Sequence, residues 1–135
     1  IVDELKMSKK KLDGATIENL DFEALIDRYS MREGDFVYLD PPYVVADKKD
    51  YYRNPFNSKQ HKQLKNVVDK ITKNSGKFML SYDDREDIRE LYKEYEVNTI
   101  ETKYVGRRSD PSKDFTELII TNYQLNNSQM EMFDV

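Results

Sequence analysis

Phe36-Val37-Tyr38-Leu39-Asp40-Pro41-Pro42-Tyr43 is a short apolar run that ends in a carboxylate, two prolines and an aromatic ring. Phe, Val and Tyr suit a pleated strand, and a proline pair cannot continue one, so the strand should stop at Asp40. Pro41 has a fixed φ and no N–H, and Pro42 behind it pushes Pro41 toward extended backbone. The turn is therefore stiff. It can hold the Asp40 carboxylate and the Pro41 carbonyl as two acceptors at a set separation, beside the Tyr43 ring.

Outward from this turn, strand and helix signals alternate. Apolar residues at helical spacing predict three helices, on Phe22, Leu25, Ile26 and Tyr29, on Leu64, Val67, Val68 and Ile71, and on Ile88, Leu91, Tyr92 and Tyr95. Asp21 stands where the first needs an N-cap. Asn57 or Ser58 caps the second, which stops near Gly76, and Asp83 and Asp84 precede the third. Strand character marks Ala15 to Asn19, Asp35 to Leu39, Lys77 to Tyr82, Val97 to Tyr104 and Glu117 to Tyr123. The order predicts an α/β domain with a largely parallel sheet that ends in an antiparallel strand pair. In such sheets ligands gather at the carboxyl ends of the strands, where Asp40 to Tyr43, Asn19 to Phe22 and Ser81 to Asp84 all fall.

The whole chain bounds these readings. Its 135 residues, 38% hydrophobic and 36% charged, make one domain's worth of protein with a modest core. No apolar run approaches the ~20 residues needed to span a bilayer, so no membrane partner is expected. The absence of Cys excludes disulfides, and a single His leaves a structural zinc site nearly excluded; no metal is expected. A net charge of −4 argues mildly against a surface made only to hold nucleic acid, although local basic patches can override it. The expected location is a reducing cytoplasm.

Two acceptors and a ring suit a planar heterocycle bearing an exocyclic amino group. An aromatic amine is a poor nucleophile because its lone pair is delocalised into the ring. Hydrogen bonds that draw both its hydrogens out of the ring plane favour a pyramidal nitrogen, which frees the lone pair for attack. Leu39-Asp40-Pro41-Pro42-Tyr43 resembles the catalytic motif of S-adenosylmethionine-dependent amino-methyltransferases, and the surroundings resemble the Dam-type DNA adenine methyltransferases. Ile17-Glu18-Asn19-Leu20-Asp21-Phe22 is similar to the family strand whose acidic-aromatic pair holds the cofactor's adenine. Tyr51 to Phe56 with His61 and Leu64 resembles the aromatic loop and helix after the motif, and Leu80-Ser81-Tyr82-Asp83 the next strand end. Tyr104-Val105-Gly106-Arg107-Arg108-Ser109 resembles the basic loop before the last strand, and Glu117 to Tyr123 that strand. The likeness covers roughly residues 15 to 123.

The resemblance implies a Rossmann-like class I methyltransferase fold and methyl transfer from S-adenosylmethionine to the N6 amino group of an adenine flipped out of double-stranded DNA. By this likeness Asp40, Pro41, Pro42 and Tyr43 are catalytic, and Asp21, Phe22 and Asp40 bind the cofactor. Tyr51, Tyr52, Arg53, Arg107, Arg108 and Lys113 meet the nucleic acid. Outside the likeness, Asp21 reads first as a helix cap, Phe22 as core, the loop arginines and Lys113 as solvated, and His61 as structural. The family's glycine-rich cofactor loop is absent, since Gly14, Gly34, Gly76 and Gly106 stand alone. Residues 1–124 are thus expected to be a partial catalytic domain that needs the missing N-terminal half of the same protein and is inactive alone. The strand before Asp40 should then have an unpaired edge, with dimerisation through it, or rearrangement of the first thirty or so residues, as the expected result. Residues 125–135 should form a flexible tail. Its Gln129, Met130, Met132 and Phe133 resemble a bacterial sliding-clamp-binding peptide. The parent would be bacterial, archaeal or phage-encoded, with restriction-modification among its roles. Competing readings are methylation of RNA or of a protein amide, and a non-catalytic remnant that binds DNA or a clamp.

Overall fold

The computed structural model describes residues 2–42, 56–102 and 115–126. In chain order these form α1 (Val2–Lys11), α2 (Phe22–Tyr29), β1 (Phe36–Leu39), α3 (Ser58–Lys73), β2 (Lys77–Asp83), α4 (Glu86–Leu91), β3 (Glu96–Thr102) and β4 (Phe115–Thr121). The four strands make one sheet in the order β1-β2-β4-β3.

β1 and β2 pair in parallel, with Phe36 opposite Lys77 and Leu39 opposite Leu80, and α3 crosses between them. A parallel pair needs such a crossover because its connection must return to the starting end of the sheet. β4 pairs antiparallel with both β2 and β3. The antiparallel final pair is therefore as expected, but the largely parallel sheet is not: one described pairing of three is parallel. β1, β2 and β3 do share a direction, yet β4 lies between β2 and β3 and converts both neighbouring pairings. Burial explains its position. Leu118, Ile119, Ile120 and Thr121 are all buried, so β4 is covered on both faces, as an interior strand must be.

Two further expectations change. Ala15 to Asn19 forms no strand, and the side chain of Ile17 is exposed rather than buried. Ahead of it stands α1, a helix not foreseen from the sequence, in which every side chain described, from Glu4 to Lys11, is exposed. The third helix is short: Arg85 rather than Asp83 or Asp84 stands at the N-cap position of α4, with no side-chain capping bond, and β2 extends through Asp83.

The other helices form where expected. Asp21 accepts from the Glu23 N–H at 2.9 Å and caps α2. Asn57 caps α3 by accepting from Lys59 and Gln60, while Gln60 accepts from the Asn57 N–H, a reciprocal capping box. The α3 terminus is a Schellman turn in which the Ser75 N–H donates to the Thr72 carbonyl and the Gly76 N–H to that of Ile71, both at 3.0 Å. Ser75, not Gly76, takes the left-handed conformation, with φ of 64°. Gly76 stands in a tight place: a Cβ there would lie 3.1 Å from a methyl carbon of Ile71, closer than ordinary contact.

The apolar stripe of α3, Leu64, Val67, Val68 and Ile71, packs on the sheet face of Phe78, Leu80, Tyr82, Leu118 and Ile120, with Ile26 of α2 and Ile88 of α4. Alternation sends Tyr38, Ser81, Ile119 and the end carboxylates to the other face.

Candidate active site

The parallel register decides what stands beside the turn at Asp40, Pro41 and Pro42. Because Leu39 aligns with Leu80, the next residue of each strand, Asp40 and Ser81, are neighbours on the same face at the carboxyl ends. Ser81 is only 3% exposed, whereas Asp40 is exposed and Pro41 and Pro42 are half-buried. The Ser81 Oγ lies 3.0 Å from Asp40 Oδ1 and 3.4 Å from the Leu39 carbonyl, and the Tyr38 hydroxyl lies 3.4 Å from Ser81 Oγ. A hydroxyl has one proton to give. The nearer and charged acceptor wins it, since charge-assisted hydrogen bonds are about twice as strong as neutral ones.

Two more carboxylates share this face. Asp83 and Glu117 sit opposite one another in the β2–β4 register. Burial pushes the Glu117 carboxyl above the usual range, and the negative charge of Asp40 adds to the effect. Burial also raises Asp83, against an opposing pull from the Arg85 guanidinium, and Asp83 Oδ1 is buried without a hydrogen-bond partner among the described residues. Among those residues no group of three His, Cys, Asp or Glu side chains is placed to hold a metal ion.

Behind the sheet a file of rings runs from α2 into the core. Phe22 meets Phe56 at 6.0 Å between centroids, Phe56 meets His61 edge-on at 5.0 Å, and His61 meets Tyr82 at 5.6 Å. Phe22 is half-buried and packs on the core, so its ring already has partners. Asp21 is exposed, with one carboxylate oxygen engaged in the helix cap. No described hydrogen bond or ring contact joins Asp21 or Phe22 to Asp40. A hollow of about 500 Å³ lined by Met31, Arg32, Asp35, Phe36 and others lies at the opposite, amino end of β1. Neither Asp40 nor Pro41 lines it, and in open α/β sheets ligands gather at the other, carboxyl end of the strands.

Of the residues expected at the site, Asp40, Pro41 and Pro42 are together at the strand end. Tyr43, Tyr51, Tyr52, Arg53, Arg107, Arg108 and Lys113 lie outside the described residues, as do Gln129, Met130, Met132 and Phe133 of the tail. Ser81 was expected only as part of a strand end where ligands gather, with no role of its own, and Glu117 was not read as a site residue. Ser81 was findable in principle: it is the fifth residue from Lys77 as Asp40 is the fifth from Phe36, so in-register parallel strands bring them side by side.

Residues 2–105 match the family model described as D12 class N6 adenine-specific DNA methyltransferase. The chain is also 31% identical over 108 residues to the Type II methyltransferase M1.LlaDCHI of Lactococcus lactis subsp. cremoris, across 76% of this chain and 37% of that protein. It thus spans little more than a third of that relative's length.

Proposed function

This chain belongs to the D12 class N6 adenine-specific DNA methyltransferase family, and we propose that it supplies the amino-group-holding part of a site that methylates adenine N6 in double-stranded DNA. The observation that carries this reading is the exposed Asp40 carboxylate at the carboxyl end of β1, ahead of Pro41 and Pro42 and inside the matched segment. The proposal includes a Rossmann-like arrangement of the Dam type, acting in the cytoplasm.

In this reading Asp40 and the Pro41 carbonyl accept the two hydrogens of the adenine amino group, and Tyr43 stacks on the base after it leaves the helix. Extrusion costs a few kcal/mol, which stacking partly offsets. Holding both hydrogens out of the ring plane localises the nitrogen lone pair, an effect largest in the transition state. Asp40 is also the nearest acceptor for the proton that N6 must shed. The electrophilic methyl for the amino nitrogen would come from bound S-adenosylmethionine, with S-adenosylhomocysteine as the leaving group. In this reading the head of α2 holds that ligand: Asp21, with one carboxylate oxygen engaged in the cap, turns the other to a ribose hydroxyl, and the half-buried ring of Phe22 packs beside the purine.

The test is transfer of labelled methyl from S-adenosylmethionine to duplex DNA by the protein carrying this chain, with hydrolysis of the product to nucleosides. Label in N6-methyladenine, lost in Asp40→Ala, is expected. Label confined to RNA or protein, or an undiminished rate in Asp40→Ala, overturns the reading.

A further inference from the structure

We infer that Ser81 is a positioning residue for the transfer step, acting through its hydrogen bond to Asp40. The inference rests on the proposed adenine methylation and names a role within that site.

The prolines stiffen the backbone around Asp40 but leave its side-chain torsions free, and the carboxylate is exposed. An exposed Asp samples several rotamers, and the carboxylate plane turns broadly about its last torsion. Directional acceptance of an amino hydrogen needs one orientation. Among the described residues the only side chain bonded to Asp40 is Ser81, whose hydroxyl donates to Oδ1 at 3.0 Å. That bond occupies one oxygen and leaves Oδ2 with no hydrogen-bond partner among the described residues.

Ser81 suits the task because it is itself fixed. It stands within β2, paired with Ile119 of β4 and one residue beyond the last β1–β2 pair, Leu39 with Leu80, and it is 3% exposed. The alternatives for its proton and lone pairs, the Leu39 carbonyl and the Tyr38 hydroxyl, are both 3.4 Å away, long for bonds between oxygens. A buried hydroxyl without a good partner is costly, so the bond to Asp40 also satisfies Ser81. Preorganisation of this kind places its cost in folding rather than in the reaction. A purely steric role makes a different prediction, because Ala fills nearly the same space.

Steady-state kinetics of Ser81→Ala in the protein carrying this chain separate the two. With rates referred to folded enzyme, kcat should fall roughly ten- to hundredfold, the size of one hydrogen bond to a charged group. KM for DNA and for S-adenosylmethionine should stay within about twofold of the parent. A parental kcat, or a loss carried by KM alone, overturns the role of Ser81. If the unsubstituted protein forms no N6-methyladenine, the proposed function falls instead.

Discussion

His61 and Tyr82 share a 2.6 Å hydrogen bond between the imidazole Nδ1 and the phenol oxygen, across the contact of α3 with β2. Burial raises the Tyr82 hydroxyl well above its ordinary value, so it keeps its proton. A neutral His61 accepts the bond at Nδ1 when the ring proton is on Nε2, and donates to the phenol oxygen in the other tautomer. Burial also lowers His61 below its ordinary value of 6.5, helped by the Arg85 charge. The unfolded chain therefore binds a proton more readily than the folded one. The stabilisation is complete above the unfolded pKa and is lost as pH falls through the depressed folded value. Thermal melts from about pH 7 to about pH 5 should show a falling Tm, with a shallower slope in His61→Gln. Equal slopes in the two proteins would remove His61 from the account.

Ser75 takes a left-handed backbone at the end of α3 with φ of 64°, a conformation that glycine adopts without the clash a Cβ causes. Ser75→Gly should raise stability by about 0.5–1 kcal/mol by denaturant unfolding. The neighbouring change Gly76→Ala should lower it, since its Cβ would press on Ile71. A destabilised Ser75→Gly would contradict the terminal geometry.

Tyr92 is fully buried, and its hydroxyl has no hydrogen-bond partner among the described residues. A buried hydroxyl left unpaired costs about 1–3 kcal/mol against an apolar group of the same shape. Tyr92→Phe should therefore leave Tm unchanged or raise it, and a clear drop would reveal a bond to that oxygen.

Asp21 can cap a helix and bind a ligand at once, and Ser separates the roles. Ser is as good an N-cap as Asp but carries no charge. Asp21→Ser should keep Tm while weakening S-adenosylmethionine binding, measured calorimetrically, by about tenfold as one charged hydrogen bond is lost. Unchanged affinity would leave Asp21 as a cap alone.

What the sequence made legible were features that a local pattern controls. The α3 stripe, the Asp21 and Asn57 caps and the β1 stop at Asp40 each depend on residues within one or two turns of chain. Strand order does not. β4 sits between β2 and β3 because Leu118 to Thr121 need cover on both faces, a demand visible as a continuous apolar run but satisfied only by long-range pairing. Ala15 to Asn19 shows the converse, since its local strand character meets no neighbour that buries Ile17. At the site, Asp40 was legible from the prolines that follow it. Ser81 was not, because its meaning lies 41 residues away in sequence, across a parallel register.

The order of the sheet has a kinetic corollary. Among the described strands β1 is the shortest and one of the two at the sheet's edges, held laterally by β2 alone, while β4 is gripped on both sides. Detaching an edge strand breaks one ladder rather than two, so β1 should open locally far more often than the whole domain unfolds. Each opening would part Asp40 from Ser81. The lifetime of the arranged carboxylate is then set by breathing at the sheet's margin, and whatever lies along the outer side of Phe36 to Leu39 governs how long the turn stays ready.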